Sequence, residues 1–278
     1  MEDIKCCVVS CDKPLDASYW ESQYEAKTTG WDLGKVSPPI QTYVDTIADK
    51  NCSILIPGCG NSYEAEYLLE QGFTNLTVID IAATPVAVLK EKFKNNPNIQ
   101  IILGDFFEHK GSYDLVLEQT FFCALPPTIR QKYVWKMHQL LADEGILAGL
   151  FFNRMFESGP PFGGCKEEYE LLFAAAFNFL KMDVSENSIA PRANSELFFK
   201  LRKNNQVVVN LYEFVGITCN SCMKNVSEKL LTIDGIFNVS MSSNFAEVLI
   251  VSKNEIAIKA LQQVISYDEK YKIKKINP

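Results

Sequence analysis

"LIPGCGNSYEAEYLL" (Leu55–Leu69) passes from an apolar run through two glycines into a helical pattern. A strand, a tight glycine turn and a helix in that order describe the carboxyl end of a strand in an open α/β sheet, where such folds bind their ligands. Gly58 and Gly60 let the backbone turn sharply and approach a ligand with no Cβ in the way. A dinucleotide fingerprint would require Gly or Ala where this chain has Tyr63, which argues against NAD.

Working outward, "SILIPG" (Ser53–Gly58), "LTVIDI" (Leu76–Ile81), "IQIILGD" (Ile99–Asp105), "YDLVLEQ" (Tyr113–Gln119) and "GILAGLFF" (Gly145–Phe152) read as five strands. Their continuous apolar character predicts burial on both faces, as in a parallel sheet covered by helices. Helical patterns lie between them in "YEAEYLLEQG", "TPVAVLKEKFKNN" and "PPTIRQKYVWKMHQLLADEG", with Thr84 before Pro85 as an N-cap and first-turn pair. A further helix, "EEYELLFAAAF", leads to two late strands around "FLKMDVSE" and "ELFFKLRK". The expectation is a doubly wound, seven-stranded, Rossmann-like α/β domain over residues 19–203, after an N-terminal extension over residues 1–18.

"KNNQ" (Lys203–Gln206) is a short polar linker candidate. Beyond it, residues 207–278 read as strand, helix, two strands, helix and strand. The order βαββαβ predicts a small α+β ferredoxin-like domain.

Composition sets outer bounds. With 47% hydrophobic and 22% charged residues, the 278-residue chain has the make-up of a globular protein with a packed core. A formal net charge of -7 argues against nucleic acid or an anionic membrane surface as partner, because phosphate binding needs clustered Lys and Arg. No apolar run reaches the roughly 18–20 residues of a membrane span, and the acidic start "MEDIKCCVVSCDKPLD" lacks the apolar core of a signal peptide. The expectation is a cytoplasmic monomer. Nine cysteines without a regular framework read as reduced thiols; Cys6, Cys7 and Cys11 cluster loosely near the start.

Asp80 follows Gly60 at the end of the second strand, placed to accept hydrogen bonds from ribose hydroxyls. Asp105 and Phe106, after the third strand, offer a carboxylate for an adenine amino group and a ring for its face. Singly, each aspartate is also what a turn after a strand requires. Three such positions at successive strand ends, without phosphate-binding chemistry, point to S-adenosylmethionine.

"YWESQYEAKTTGWDLGKVSPPI", "LIPGCGNSYEAEYL", "GDFF", "EQTFFCALPP" and "GPPFGGCKEEYELLF" together resemble the thiopurine S-methyltransferase family, in particular its halide and thiol methyltransferase branch. The resemblance implies a class I methyltransferase in which Trp20 and Trp31 belong to a cofactor lid, with Tyr24 where relatives often carry another Trp. Gly58, Gly60 and Asp80 would hold the loop and ribose, and Asp105 with Phe106 the adenine. Gln119 stands where relatives have Tyr or Arg near the methionine end of the cofactor.

The implied reaction is in-line methyl transfer to a small soft nucleophile: a thiol, hydrosulfide or halide. Such an acceptor needs positioning and desolvation more than acid or base help. Glu118 and Gln119 are the candidates nearest the expected chemistry, with Glu118 expected at the cofactor ammonium. His109 and His138 read as structural, and Cys123 as a small buried hydrophobe.

"GITCNSCMKNV" (Gly216–Val226) places Cys219 and Cys222 at a helix start, where the dipole favours thiolates. Two sulfurs suit Cu(I) better than four-coordinate zinc. With the following "LLTIDGIFNVSMSSNFAEVLIVS", the segment resembles a heavy-metal-associated domain, which implies a soft metal ion, Cu(I), at Cys219 and Cys222. A redox-active pair is the other reading. At the level of the whole chain, the alternatives are a metal- or metalloid-directed methyltransferase whose tail delivers or senses the metal, and a non-catalytic metal-binding protein.

Overall fold

The computed structural model describes residues 14–277. Cys6, Cys7 and Cys11 lie outside them. Two helices, α1 (Ala17–Glu25) and α2 (Pro38–Val44), precede β1 (Ile54–Pro57). Then come α3 (Tyr63–Glu70), β2 (Leu76–Asp80), α4 (Ala83–Lys92), β3 (Ile99–Leu103), β4 (Tyr113–Gln119), α5 (Arg130–Leu140), β5 (Leu141–Phe152), α6 (Lys166–Phe173), β6 (Phe177–Val184) and β7 (Glu196–Lys203).

These strands form one seven-stranded sheet in the order β3-β2-β1-β4-β5-β7-β6. The first five are mutually parallel, and β7 runs antiparallel to both β5 and β6. The order reverses at β1, so the β1 and β4 carboxyl ends open a crevice.

β1 and β2 are buried along their whole length, as their unbroken apolar sequences predict. β3 departs from that expectation: it is the sheet edge and is partly exposed. The helix after β4 ends at Leu140, earlier than its apolar periodicity suggests, because Leu141 already pairs with Tyr113 across a register shift before the strand settles at Ile146. The pattern "EEYELLFAAAF" likewise stops being helical at Phe173; Ala175 turns with φ 63° and its carbonyl accepts from the Asn204 side chain.

Thr84 is not the N-cap of α4. That position belongs to Ala82, and the Thr84 N–H instead donates to Glu21 Oε2 of α1 at 3.0 Å. A carboxylate from a separate helix thus satisfies an orphan donor of the first turn.

The remaining chain forms β8 (Val208–Val215), α7 (Asn220–Leu230), β9 (Ile236–Met241), β10 (Glu247–Ser252), α8 (Ile258–Ile265) and β11 (Lys272–Lys275). They build a separate four-stranded antiparallel sheet in the order β11-β8-β10-β9. Tyr212, Phe214, Val248 and Ile250 on one face pack with Val226, Leu230, Leu261 and Ile265 of the two helices.

The opposite face carries Val209, Leu211, Leu249 and Val251, which join the core cluster of the larger sheet together with Tyr133, Val134, Met137 and Leu140 of α5. All of α5 except Lys132 and Gln139 is therefore buried. Gln131 Nε2 closes the junction on Ser240 Oγ at 3.1 Å and Met241 O at 3.0 Å. The polar segment between the sheets is pinned too: the His138 ring bonds Asn204 O at 3.2 Å, and Asn204 Oδ1 accepts from Gln206 N.

Because the two sheets share one apolar cluster, Leu249→Ala should cost about 2–5 kcal/mol and lower a single cooperative unfolding transition of the whole chain. Two resolved transitions, of which only one responds to the substitution, would contradict a shared core.

Candidate active site

A cavity of about 760 Å³ lies at the carboxyl ends of the parallel strands. Its wall includes Trp20, Tyr24 and Trp31 before the first strand, Gly58 after β1, Asp80 at the end of β2, Asp105 and Phe106 after β3, and Thr120 and Phe121 after β4. One side is formed by Phe152, Arg154, Phe156, Pro160 and Pro161 after β5, and another by Pro191 and Arg192 before β7.

The loop after β1 takes left-handed turns at Gly58 (φ 55°) and Gly60 (φ 49°). A Cβ on Gly58 would lie 2.2 Å from Phe121 Cδ2, and one on Gly60 would lie 2.7 Å from the Tyr24 hydroxyl. A side chain at Gly58 would collide with the Phe121 ring, and one at Gly60 would strain the left-handed backbone and push the Tyr24 hydroxyl aside. Gly60 does not line the cavity; its N–H donates to Asp80 Oδ2 at 2.8 Å.

Asp80 Oδ1 accepts from Ala82 N at 2.9 Å, so each oxygen takes one backbone N–H and keeps a lone pair for another donor. Burial raises this carboxyl above its ordinary range, opposed by those N–H bonds. Asp105 caps the short turn after β3 through Phe107 N at 2.8 Å, and Phe106 packs edge-on against Phe121 with ring centroids 5.0 Å apart. Trp31 meets both Trp20 and Tyr24 edge to face, at 5.6 and 5.9 Å. Arg192 Nη2 donates to Trp31 O at 2.9 Å while Nη1 faces Glu196 Oε1 at 3.3 Å, so a distant turn holds this aromatic group.

Glu118 and Gln119 do not line the cavity. Glu118 is fully buried, and its Oε1 accepts from Phe121 N at 2.7 Å and Phe122 N at 2.8 Å. It is turned into the protein rather than toward a cofactor ammonium, because those two N–H groups outcompete an open site for it. Gln119 is replaced in the wall by its neighbours Thr120 and Phe121, Thr120 turning with φ 60°.

Cys123 does line the cavity, yet burial pushes its thiol well above the ordinary range, leaving it an inert neutral group. His138 is pushed down to about 4 by burial, and His109 bonds the Tyr113 hydroxyl at 2.7 Å; neither lines the cavity. Arg154 and Arg192 escaped sequence reasoning. Arg154 stands just past a strand end and was findable by that rule, whereas Arg192 reaches the site only because β7 returns beside β5.

In the tail, Cys219 and Cys222 are joined as a disulfide, with Cα atoms 5.3 Å apart. Cys219 is the N-cap of α7, its Sγ accepting from Cys222 N at 3.3 Å. Reduced thiolates therefore require cleavage of this bond. Among the described residues no three His, Cys, Asp or Glu are grouped to hold a metal ion. No helix there is long and apolar enough to cross a membrane.

Strand order and site location define the class, a methyltransferase of the class I, Rossmann-like fold. A solved structure supports the fold: Burkholderia thailandensis 1,6-didemethyltoxoflavin-N1-methyltransferase, bound to S-adenosylhomocysteine, matches with a TM-score of 0.57 and 20% identity, covering 74% of this chain and 98% of that one. The thiopurine S-methyltransferase family model matches residues 15–209, and the chain belongs to this family of S-adenosylmethionine-dependent methyltransferases. It is 33% identical to the Arabidopsis thaliana protein named "Probable thiol methyltransferase 2" over 66% of this chain and 84% of that protein. It is also 25% identical to Thiocyanate methyltransferase 1 of the same plant (69% and 88% covered), and 27% identical to thiopurine S-methyltransferase of Acinetobacter baylyi (62% and 93%).

Gly60→Ala should displace the Tyr24 hydroxyl and disturb its packing on Trp31. The expected readout is a shift in tryptophan fluorescence with unfolding temperature lowered only modestly; an unchanged spectrum would mean that Tyr24 does not rest on the loop.

Proposed function

We propose that the chain methylates a small soft nucleophile (a thiol, hydrosulfide or halide) and that its C-terminal part is a ferredoxin-like, heavy-metal-associated domain. The observation that carries the first part is the composition of the cavity wall: aromatic, proline and glycine surface, the strand-end carboxylates Asp80 and Asp105 with Asp16 at the start of α1, and no His, Lys or Glu among the described lining residues. With only Asp carboxylates and no imidazole or amine to take a proton, such a wall suits an acceptor that is already anionic or readily ionised. The names of the plant relatives, thiol and thiocyanate methyltransferases, favour the same reading.

S-adenosylmethionine, when bound, supplies an electrophilic methyl group on a sulfonium. Asp80 would take its ribose hydroxyls on the lone pairs that Gly60 and Ala82 leave open, and Asp105 with Phe106 would take the adenine. Trp20, Tyr24 and Trp31 exclude water from that end. The apolar side around Phe152, Phe156 and Pro160 strips water from the acceptor, which strengthens its nucleophilicity. Arg154 and Arg192 bring positive charge to the same wall and draw an anion in.

Turnover of iodide, hydrosulfide or a simple thiol to S-adenosylhomocysteine tests the reading, with Asp80→Ala expected to weaken cofactor binding about tenfold or more through lost charge-assisted bonds. Absence of turnover across that panel, with cofactor binding intact, would refute the acceptor class.

For the tail, the donor set is two sulfurs at the positive end of α7, which suits two-coordinate Cu(I) once the disulfide is reduced and does not suit zinc. The element order βαββαβ supports this assignment. Reduced protein should bind one Cu(I) per chain in competition with a Cu(I) chelator, and Cys219→Ser with Cys222→Ser should abolish it. Methyl transfer that also changes with the metal would make the tail a regulator of the enzyme, whereas indifference would make it an independent site.

A further inference from the structure

The loop that follows β4 contributes Thr120, Phe121, Cys123, Ala124 and Leu125 to the cavity; a single 3-10 turn over Phe122–Ala124 orders its far half, and Phe162 N donates to Cys123 O, whereas Thr120 and Phe121 lie outside regular structure. Its first residue turns through a left-handed conformation, which a β-branched side chain adopts only where surrounding bonds impose it. Those bonds come from behind. Glu118, with no exposed surface, collects the N–H groups of Phe121 and Phe122 on one oxygen. Phe121 in turn fills the space over Gly58 and packs on Phe106.

We propose that Glu118 is a positioning residue for methyl transfer: its buried carboxyl group anchors the Thr120–Leu125 loop and so sets where Phe121 and Cys123 stand in the cavity. This rests on the cavity being the methyl-transfer site. Glu118 touches neither cofactor nor acceptor in this role; it acts through the loop.

The surroundings of the carboxyl add a second property. Oε2 is buried without a hydrogen-bond partner among the described residues, so a proton on the group sits there while Oε1 keeps both N–H bonds. Burial pushes Glu118 up to about 8, with Glu196 on β7 adding to the rise, although Glu196 is itself paired with Arg192. The other ionisable groups around it are Cys123 and Tyr133, both raised by burial and neutral at ordinary pH. Arg130 and Arg192 act on Cys123 from further out. Below pH 8 the loop is thus held by a neutral group. Above it, a negative charge appears directly behind the part of the cavity wall formed by Phe121 and Cys123, and an anionic acceptor in the cavity is repelled.

The test compares Glu118→Ala and Glu118→Gln with the unaltered full chain by amide hydrogen exchange at Phe121 and Phe122 and by the pH dependence of iodide methylation, iodide being an anion at every pH used. Alanine should increase exchange at both amides and lower kcat/KM about tenfold or more, since two buried donors lose their acceptor. Glutamine, which keeps an acceptor oxygen and cannot ionise, should restore protection and most of the rate, and should abolish the fall in kcat/KM that the unaltered chain shows as pH rises through 8. A folded alanine variant with unchanged exchange would overturn the proposal. So would a glutamine variant that keeps the alkaline fall, a result obtainable even where alanine does not fold. If the unaltered chain methylates nothing, the acceptor reading fails while the exchange data still decide whether Glu118 holds the loop.

Discussion

Helix α5 lies between two sheets, and its burial on both flanks is the constraint from which the rest of the molecule follows. A helix on the outside of a doubly wound sheet ordinarily keeps one polar stripe in water. Here that stripe is replaced by Val134, Met137 and their neighbours against Val209, Leu211, Leu249 and Val251, so the small sheet has helices on one face and α5 on the other. The tail is thereby a third layer of one core. Gln131, the polar residue that would look misplaced in such a helix, donates its amide nitrogen to Ser240 and Met241 across the junction.

The same helix connects this packing to the chemistry. Arg130 at its start is buried, pairs with Glu168 of α6 and donates to Gly163 O at 2.7 Å, fixing the segment that follows Pro160 and Pro161 in the cavity wall. Just before it, the loop held by Glu118 brings Phe121 over Gly58. A glycine in a left-handed conformation, an aromatic ring in the place of its missing side chain and a buried carboxyl behind that ring form one continuous arrangement. Each part presupposes the next.

Much of this was legible in the chain itself. Unbroken apolar runs located the parallel strands, and glycines followed by a helix located the tight turn after β1, whose Gly58 lines the cavity. Asp80 and Asp105, placed at strand ends, do stand in one cavity. Local reading failed where a remote partner decided the outcome. Thr84 has the right chemistry for an N-cap, but Glu21 of α1 supplies the acceptor at that helix start and leaves Thr84 inside the helix. Glu118, at a strand end like Asp80, turns inward because the backbone N–H groups of Phe121 and Phe122 curl back onto it. Position along a strand says which end a residue occupies; it does not say which way the following loop bends.

The sequence by itself determined the order of strands and helices, the family, the two glycines and two carboxylates of the candidate cofactor site, and the cysteine pair of the tail, because each is a local pattern with a local physical cause. Only the tertiary structure decided that Arg192 supports Trp31, that Phe121 rather than Gln119 faces the cavity, that Cys219 and Cys222 are bonded to each other, and that the tail shares a core with α5. The first and last depend on contacts between segments far apart in the chain, which leave no mark in the spacing of neighbouring residues; the other two depend on how a loop and a helix start bend in space, which spacing alone does not fix.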